Sequence, residues 1–222
     1  MFENGLQYVR SDFHLHTNKD KEFTYTGEQN SFVKDYVAAL KKANISVGVI
    51  TNHNKFDIDE YKAIRKAAKK QDIFILPGVE LTIKEGANGI HTLIVFNPGE
   101  WLENGSNHIQ TFPTAAFATI SNPENRNVKS IYDLKKVFEQ LEAYGRDYIV
   151  VFAHVDQNSG IFSECKGGLL ESLAGLASFK NRVLGLQKSR SRDNLNQFER
   201  CVGFLPALVV GADPKSITDI GS

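Results

Sequence analysis

The chain of 222 residues has little cysteine, no net charge and no long apolar run. Its two cysteines, Cys165 and Cys201, are too few for a disulfide framework or a thiolate zinc site, and they suit a reducing compartment. Lysine and arginine together number 26, as do aspartate and glutamate, so no global charge indicates binding to nucleic acid or membranes. The sequence shows neither a signal-peptide core nor an apolar stretch of membrane-spanning length. We therefore expect a cytoplasmic protein without a membrane partner.

Alternating apolar and amphipathic segments predict the fold class. Seven apolar segments of strand length are present, at 9–16, 45–51, 73–81, 89–96, 148–155, 182–187 and 206–212. Amphipathic patterns predict helices at 31–44, 57–70, 130–145, 168–176 and 192–202, and a shorter one near 106–118. Because apolar strands alternate with helices, we expect parallel strands covered by helices. No linker or repeat divides the sequence, so we expect a single domain over residues 1–222.

Five of the six histidines lie beside these predicted strands. His14 and His16 end the first strand two residues apart, so both imidazoles should point to one side. Further polar groups lie at or near the ends of later strands: His53, Glu80, His154 and Asp213. His91, in contrast, lies at the start of the fourth strand. In a barrel of parallel strands the C-terminal ends form one rim where catalytic groups collect, so we expect these side chains to meet there.

The types of these side chains indicate a metal centre. The candidate ligands are His14, His16, Glu80, His91, His154 and Asp213. Imidazoles with carboxylates and no thiolates suit zinc, manganese or iron, and suit calcium less. The set exceeds what one tetrahedral ion needs, so a pair of ions is the natural interpretation. Two ions roughly 3.5–4 Å apart can share a nucleophilic hydroxide and clamp phosphoryl oxygens, and Glu80 is our candidate for the bridging carboxylate.

The motifs and their order resemble the PHP (polymerase and histidinol phosphatase) family. The segments that carry the resemblance are "DFHLHT", "ITNHN", "PGVEL", "IHTLIVF", "VFAHVD" and "VVGADPK", from about residue 10 to about residue 215. Members of that family resemble distorted, TIM-like (β/α)7 barrels whose rim binds metal ions for phosphoester hydrolysis. The resemblance therefore implies an α/β barrel of this type, with the metal site at the C-terminal rim of the strands.

The resemblance also implies a role for each motif residue. One ion would be held by His14, His16, Glu80 and Asp213, and the second by Glu80, His91 and His154. His53 matches the family histidine that helps to bind a third ion or contacts the substrate phosphate. Asp20 lies one position short of the acidic residue that often follows the H-x-H motif, and it is either a ligand or a solvated loop acid.

Two positions depart from the family pattern. Asn52 stands where the family has an aspartate, and Lys215, in "GADPK", stands where a histidine completes the third site. We therefore expect two divalent ions, Mn²⁺ first and Zn²⁺, Fe²⁺ or Mg²⁺ as alternatives. The Lys215 ammonium could take the place of the third cation and neutralise phosphate charge. His53, Lys215 and Asp20 are accordingly the candidate catalytic groups beside the ligands.

Together these residues predict a hydrolase that cleaves phosphoester bonds through a hydroxide activated by two metal ions. We expect nucleic acid as the substrate, since three cations follow the sixth predicted strand at the rim, where they could contact a phosphate backbone. These cations are Lys188, Arg190 and Arg192. The alternative substrate is a phosphorylated small molecule, as for a histidinol-phosphate or nucleotide phosphatase.

The motif sequences are also similar to those of PHP domains fused to SMC-like or ABC-like ATPases. The chain contains no G-x-x-x-x-G-K-[ST] segment of its own. We expect it to be either the N-terminal part of a longer protein with an ATPase domain or a stand-alone relative with an ATPase partner. A third alternative is a metal-binding module that docks to an ATPase without turnover, which the "GADPK" departure favours.

Overall fold

A computed structural model of the chain describes residues 8–187 and 189–222, which form an α/β fold around a seven-stranded sheet. The strands are β1 (Arg10–Leu15), β2 (Ile45–Ile50), β3 (Phe74–Ile83), β4 (Ile90–Phe96), β5 (Tyr148–Phe152), β6 (Val183–Gln187) and β7 (Ala207–Val209). The helices are α1 (Phe32–Lys42), α2 (Ile58–Lys69), α3 (Pro98–Trp101), α4 (His108–Ala116), α5 (Leu134–Ala143), α6 (Ile161–Glu164), α7 (Gly167–Ala174), α8 (Ala177–Arg182) and α9 (Arg192–Val202). Of the helices in these two ranges, none is long and apolar enough to cross a membrane.

The longer helices form where the apolar period predicts them. α1 buries Phe32, Tyr36 and Leu40 on one face, which is the i, i+4, i+8 stripe of its sequence. The side chains of Asp57 and Asp133 cap the first turns of α2 and α5 by accepting backbone N–H groups. Three short helices, α3, α6 and α8, were not predicted, since segments of four to six residues are too short to show a helical period.

The strands follow one another across the sheet in chain order, but they are not all parallel. β1 to β3 pair in parallel, as do β5 to β7, whereas β4 is antiparallel to both of its neighbours. The prediction of parallel strands throughout is therefore wrong for β4. The physical reason is the connection 84–89, which is too short for a crossover and turns through Gly86 and Gly89 at positive φ.

The sheet is nearly closed, because the segment after β7 returns to β1. The Asp213 N–H donates to the His14 carbonyl at 3.0 Å, and the Ala212 N–H donates to the carboxylate of Asp12. Gly211 permits this approach, since a Cβ at that position would lie 2.7 Å from the Cβ of His14. The result is an α/β fold with a barrel-like sheet, in which a tight turn and no helix joins β3 to β4.

Candidate metal centre

The antiparallel course of β4 brings its start to the rim where β1, β2 and β3 end. His91, near the start of β4, pairs with Thr82 of β3, so its side chain lies on the same face of the sheet as that of Glu80. His53 follows β2 and pairs with Glu80 through an isolated bridge. The six predicted ligands and His53 all meet at this rim. The ligands are His14, His16, Glu80, His91, His154 and Asp213.

Two of these residues adopt an unusual backbone conformation. His154, two residues after β5, has φ +46°, and Asp213, beyond β7, has φ +51°. Side chains with a Cβ adopt this region at a cost, and such positions concentrate at functional sites. The surrounding fold thus holds both side chains at the rim against their local preference.

Glu80 is the centre of the cluster. Its side chain is fully buried, and its Oε2 lies 2.7 Å from His14 Nε2, 3.1 Å from His53 Nε2 and 3.3 Å from His16 Nε2. Its Oε1 lies 2.7 Å from His91 Nδ1. Burial by itself raises the pKa of Glu80, but the surrounding imidazoles outweigh it and hold the pKa well below its usual range. Glu80 is therefore an ionised carboxylate shared among four imidazoles.

Asp213 forms the second carboxylate of the cluster. Its Oδ1 lies 3.0 Å from His16 Nε2 and its Oδ2 lies 3.3 Å from His154 Nε2. Burial raises the pKa of Asp213, but His154 and His16 outweigh it, and the net pKa is well below the usual value. Lys215 Nζ donates to Oδ1 at 2.8 Å, which places the ammonium directly beside the centre.

Asp20 orients two of the imidazoles from their outer side. The rings of His16 and His53 stack with centroids 4.5 Å apart and planes 7° apart. Both Nε2 atoms face Glu80, and both Nδ1 atoms face Asp20 Oδ2, at 3.0 Å from His16 and 2.9 Å from His53. The side chain of Asp20 is fully buried, so it is not a solvated loop acid. A carboxylate at Nδ1 fixes the tautomer and ring direction of a metal-binding histidine.

Gln187, at the end of β6, does the same for His14. Its Nε2 donates to the Gly211 carbonyl at 3.3 Å, which fixes the amide orientation, and its Oε1 lies 2.9 Å from His14 Nδ1. Because an amide oxygen only accepts, Nδ1 carries a proton and donates it to Gln187. Sequence reasoning missed Gln187, although it is the last residue of the sixth predicted strand, in "RVLGLQ".

These contacts test whether the cluster fits a cation. The Nε2 atoms of His14 and His53 face the Glu80 carboxylate at 2.7 and 3.1 Å while their Nδ1 atoms face other acceptors. A nitrogen lone pair facing a carboxylate requires a positive charge between them, either a proton or a metal ion. In the described part of the chain, two buried imidazole nitrogens of the cluster have no hydrogen-bond partner, Nδ1 of His16 and Nδ1 of His154. The donor types and their convergence fit divalent metal ions.

The donors form four overlapping groups of three, in each of which the ligand atoms lie within 4.8 Å of one another. The groups are His14–His16–Glu80, His14–His154–Asp213, His53–Glu80–His91 and His16–Asp20–His53. The first two contain the four residues that the resemblance gives to one ion. His154, however, lies with His14 and Asp213 rather than with His91, and His53 takes its place beside Glu80 and His91.

A pocket of about 530 Å³ opens beside the cluster. Its lining residues are His53, Ala87, Asn88, His91, Arg126, Asn127, Lys129, His154, Gln157, Asn158, Ser159, Asp213 and Lys215. Sequence reasoning missed Arg126 and Lys129, because they lie in a turn-rich segment that carries no motif. Lys215 also lines the pocket, and its contact with substrate stays a prediction.

The other predicted cations lie elsewhere. Arg190 and Arg192 are not among the residues that line this pocket. The backbone N–H of Arg190 donates to the carboxylate of Asp156. Lys188 lies outside the described residues. Contact of this segment with a phosphate backbone stays a prediction.

Comparisons with known proteins find matches among solved structures, whereas no protein-family profile and no curated protein matches the chain. One match is a candidate metal-dependent phosphoesterase from Bifidobacterium adolescentis, with 14% identity, a TM-score of 0.55, and coverage of 91% of this chain and 86% of that one. A second is a two-domain protein from Bacteroides vulgatus that contains a predicted PHP-like metal-dependent phosphoesterase, with 13% identity, a TM-score of 0.55, and coverage of 95% and 53%. This chain shares the fold of these proteins.

A third match is an amidohydrolase from Chromobacterium violaceum whose structure holds bound sulfate and no metal. Its identity is 16%, its TM-score is 0.53, and the match covers 96% of this chain and 90% of that one. At identities this low the likeness establishes the fold, and it agrees with the barrel that the motif resemblance implies. None of the three descriptions names an ATPase, so an ATPase domain or partner stays a prediction.

Proposed function

We propose that the chain is a metal-dependent hydrolase of phosphoesters, and that it acts on phosphomonoesters of small polar molecules. The observation that carries the proposal is the buried Glu80 carboxylate, which lies among four imidazoles at the edge of a pocket that also contains three cationic side chains. Those cations are Arg126, Lys129 and Lys215. The shared fold with proteins described as metal-dependent phosphoesterases is consistent with it.

The chain's own donors would hold two divalent ions, with Mn²⁺ the first candidate. The residues that would hold them are His14, His16, Glu80, His91, His154 and Asp213, with His53 as a further donor beside Glu80. Bound there, divalent ions polarise phosphoryl oxygens and lower the pKa of an attacking water. Glu80 is ionised and contacts His14 and His16 through one carboxylate oxygen and His91 through the other. It is therefore the group that would bridge the two ions.

Residues around the donors keep them in the form that binds metal. Asp20 Oδ2 accepts a hydrogen bond from His53 Nδ1 and lies 3.0 Å from His16 Nδ1, and Gln187 accepts one from His14 Nδ1, so that the Nε2 atoms of all three rings face the centre. This preorganisation removes the cost of turning the three imidazoles when a metal binds.

Lys215 supplies a fixed positive charge next to the ligands. Burial lowers the pKa of Lys215, but Asp213 outweighs it and the net pKa is raised, so the side chain stays protonated at neutral pH. From its position on the pocket wall the ammonium can bind a phosphoryl oxygen and hold a proton at Nζ for the leaving group. His53 also lines the pocket, and it is the second candidate to contact the leaving group where its Nε2 does not hold an ion.

The pocket favours a small phosphomonoester over nucleic acid. The cations that line it lie within one concavity beside the donors, whereas a nucleic-acid backbone needs cations spread along its path. Arg190 and Arg192, on which the nucleic-acid expectation depends, do not line the pocket. Hydrolysis of nucleic acid is accordingly the second candidate, and a non-catalytic module that docks to an ATPase is the third.

The test compares substrate classes on the same protein. Protein loaded with Mn²⁺ is assayed on p-nitrophenyl phosphate, on bis(p-nitrophenyl) phosphate and on single- and double-stranded oligonucleotides. We expect hydrolysis of the monoester, and its loss in Glu80→Gln but not in the control Glu139→Gln, which changes an exposed carboxylate on α5. Cleavage of the diester and oligonucleotides alone would contradict the proposed substrate. No hydrolysis with Mn²⁺, Zn²⁺, Fe²⁺ or Mg²⁺ would contradict the enzyme itself.

A further inference from the structure

We propose that the groove between the outer faces of α1 and α2 is a docking site for an acidic, amphipathic helix of a partner protein. The groove has a volume of about 520 Å³. None of the described residues that line it also lines the pocket beside the metal centre. The inference therefore does not depend on the proposed hydrolase function.

The α1 side of the groove has the residue spacing against which a second helix packs. Its lining residues recur at i, i+3, i+4, i+7, i+8 and i+11, and they are Asn30, Val33, Lys34, Val37, Ala38 and Lys41. Residues at this spacing form one continuous stripe along a helix. At a rise of about 1.5 Å per residue the stripe is roughly 16 Å long, which is about three helical turns. The opposite side is formed by the end of α2 and the residues after it, through Ala67, Lys70 and Gln71.

The floor of the groove is apolar and only partly covered. It consists of Val33, Val37, Ala38 and Ala67. Val33 and Ala67 are half-buried and Ala38 is exposed. The two alanines have short side chains, so the backbone of a docked helix can approach closely. An apolar floor of this kind favours a ligand that brings apolar side chains of its own.

Three exposed lysines border this floor: Lys34, Lys41 and Lys70. Within residues 8–187 and 189–222, no Asp or Glu oxygen lies within 4.0 Å of any of the three Nζ atoms. Lys41 Nζ donates to Gln71 Oε1 at 2.7 Å, which is a neutral partner. The described lining residues of the groove include no carboxylate. A complementary partner therefore carries acidic side chains beside its apolar ones.

The same features disfavour the other occupants of such a groove. A second copy that placed this groove on a two-fold axis would bring its own three lysines to it, so that like charges would face each other. A membrane surface is flat, whereas this floor is a concavity between two helices. A nucleic-acid backbone would use the lysines but would leave Val33 and Val37 without an apolar partner. An acidic, amphipathic helix matches both the floor and its charged edges.

The experiment measures the binding of fluorescein-labelled peptides to the full chain by fluorescence anisotropy. The acidic peptide has about 15 residues, with leucines at i, i+4, i+7 and i+11 and glutamates beside them, and a hydrocarbon staple on its opposite face keeps it helical. Three matched peptides replace the glutamates by glutamine or by lysine, or the leucines by serine. We expect the acidic peptide to bind at least about tenfold more tightly than each of the three, and its Kd to rise with salt concentration.

Variants at exposed positions locate the binding on the chain. Lys34→Gln and Lys70→Gln should each weaken binding of the acidic peptide about two- to fivefold, and the double variant should weaken it about tenfold. Ala38→Glu adds a carboxylate to the groove and should weaken binding at least as much as the double variant. The control Lys136→Gln removes an exposed lysine on α5 and should change nothing. Equal affinity of wild type and the double variant would overturn the inference.

Competition distinguishes a docked helix from bound nucleic acid. A single-stranded oligonucleotide of about 15 nucleotides is titrated against the bound acidic peptide in buffer without metal ions, and we expect it to displace the peptide at least about tenfold less effectively than unlabelled acidic peptide does. More effective displacement by the oligonucleotide would assign the lysines to nucleic acid and overturn the inference. No binding of the acidic peptide at about 1 mM protein, or equal affinity for the acidic and glutamine peptides, would also overturn it.

Discussion

Single residues at the rim set the direction of three candidate metal donors, His14, His16 and His53. Asp20 and Gln187 lie behind the imidazoles, and Glu80 and Asp213 lie in front of them. Each histidine so held has one nitrogen assigned to a protein partner and the other directed to the centre. The candidate site is thus a set of oriented lone pairs, which is the arrangement that metal binding requires.

Replacing Asp20 tests this role of the outer partners. In Asp20→Asn the side chain keeps its size, but the charge that faces the Nδ1 atoms of His16 and His53 is lost. We expect affinity for Mn²⁺ to fall by about 10–100-fold, measured by competition with a chromogenic chelator. Asp193→Asn, which changes an exposed aspartate in the first turn of α9, is the control. Unchanged affinity in Asp20→Asn would show that Asp20 does not orient the ligands.

The protonation of His16 predicts how metal affinity depends on pH. Burial lowers the pKa of His16, but Asp20, Asp213 and Glu80 outweigh it and hold the pKa well above 6.5 in the metal-free protein. A metal ion must displace the proton that His16 carries below this raised pKa. Affinity should therefore rise with pH by about tenfold per unit above pH 6.5, and level off only above the raised pKa. Metal titrations at several pH values would contradict this if affinity were constant from pH 6.5 upward.

At the scale of elements, the direction of β4 decides whether the site is complete. His91 lies near the start of β4, and it reaches the rim only because β4 runs opposite to β3 and β5. The sequence predicted that His91 belongs to the site but also predicted parallel strands, and these two expectations conflict. The six-residue connection with two glycines was the signal that resolves the conflict, since a parallel crossover needs a dozen or more residues.

Substitution of Gly89 tests the importance of this turn. Gly89 has φ +78°, and an added Cβ would lie 2.9 Å from both the Ile83 carbonyl and Lys129 Cγ. We expect Gly89→Ala to lower the free energy of unfolding by about 1–3 kcal/mol, measured by urea denaturation. Gly168→Ala is the matched control, because Gly168 lies in α7 with open space around its Cα and an ordinary φ. Equal stability of Gly89→Ala and wild type would contradict the role of the turn.

Helix and strand positions were largely predictable from the sequence because apolar periods persist over whole elements. α1, α2, α5 and α9 lie where the pattern places them, within a few residues at each end. β7 is shorter than predicted, since the segment after Val209 leaves the ladder to contact β1. The short helices and the segment with Arg126 have no such period, and their positions depend on tertiary contacts such as the hydrogen bond from Asn54 to the Pro123 carbonyl.

For the whole molecule, near-closure of the sheet brings together residues from both ends of the chain. His14 and Asp213 are separated by almost the whole described sequence, yet a backbone hydrogen bond joins them. The candidate donors could be predicted because histidines and acids follow strands, and strand ends share a rim. The pocket wall could not, because Arg126, Lys129 and Asn54 are ordinary polar residues whose importance depends on where the chain places them.

Metal stoichiometry tests the central claim, a cluster of oriented donors around Glu80, most directly. Elemental analysis would be made on protein purified without chelator and re-equilibrated with Mn²⁺, in wild type, in Asp213→Ala and in Glu80→Gln. The account predicts about two ions per chain in wild type, fewer in Asp213→Ala and the greatest loss in Glu80→Gln, which removes the shared carboxylate charge. Absence of bound metal in the wild type, even with Mn²⁺ in excess, would contradict it.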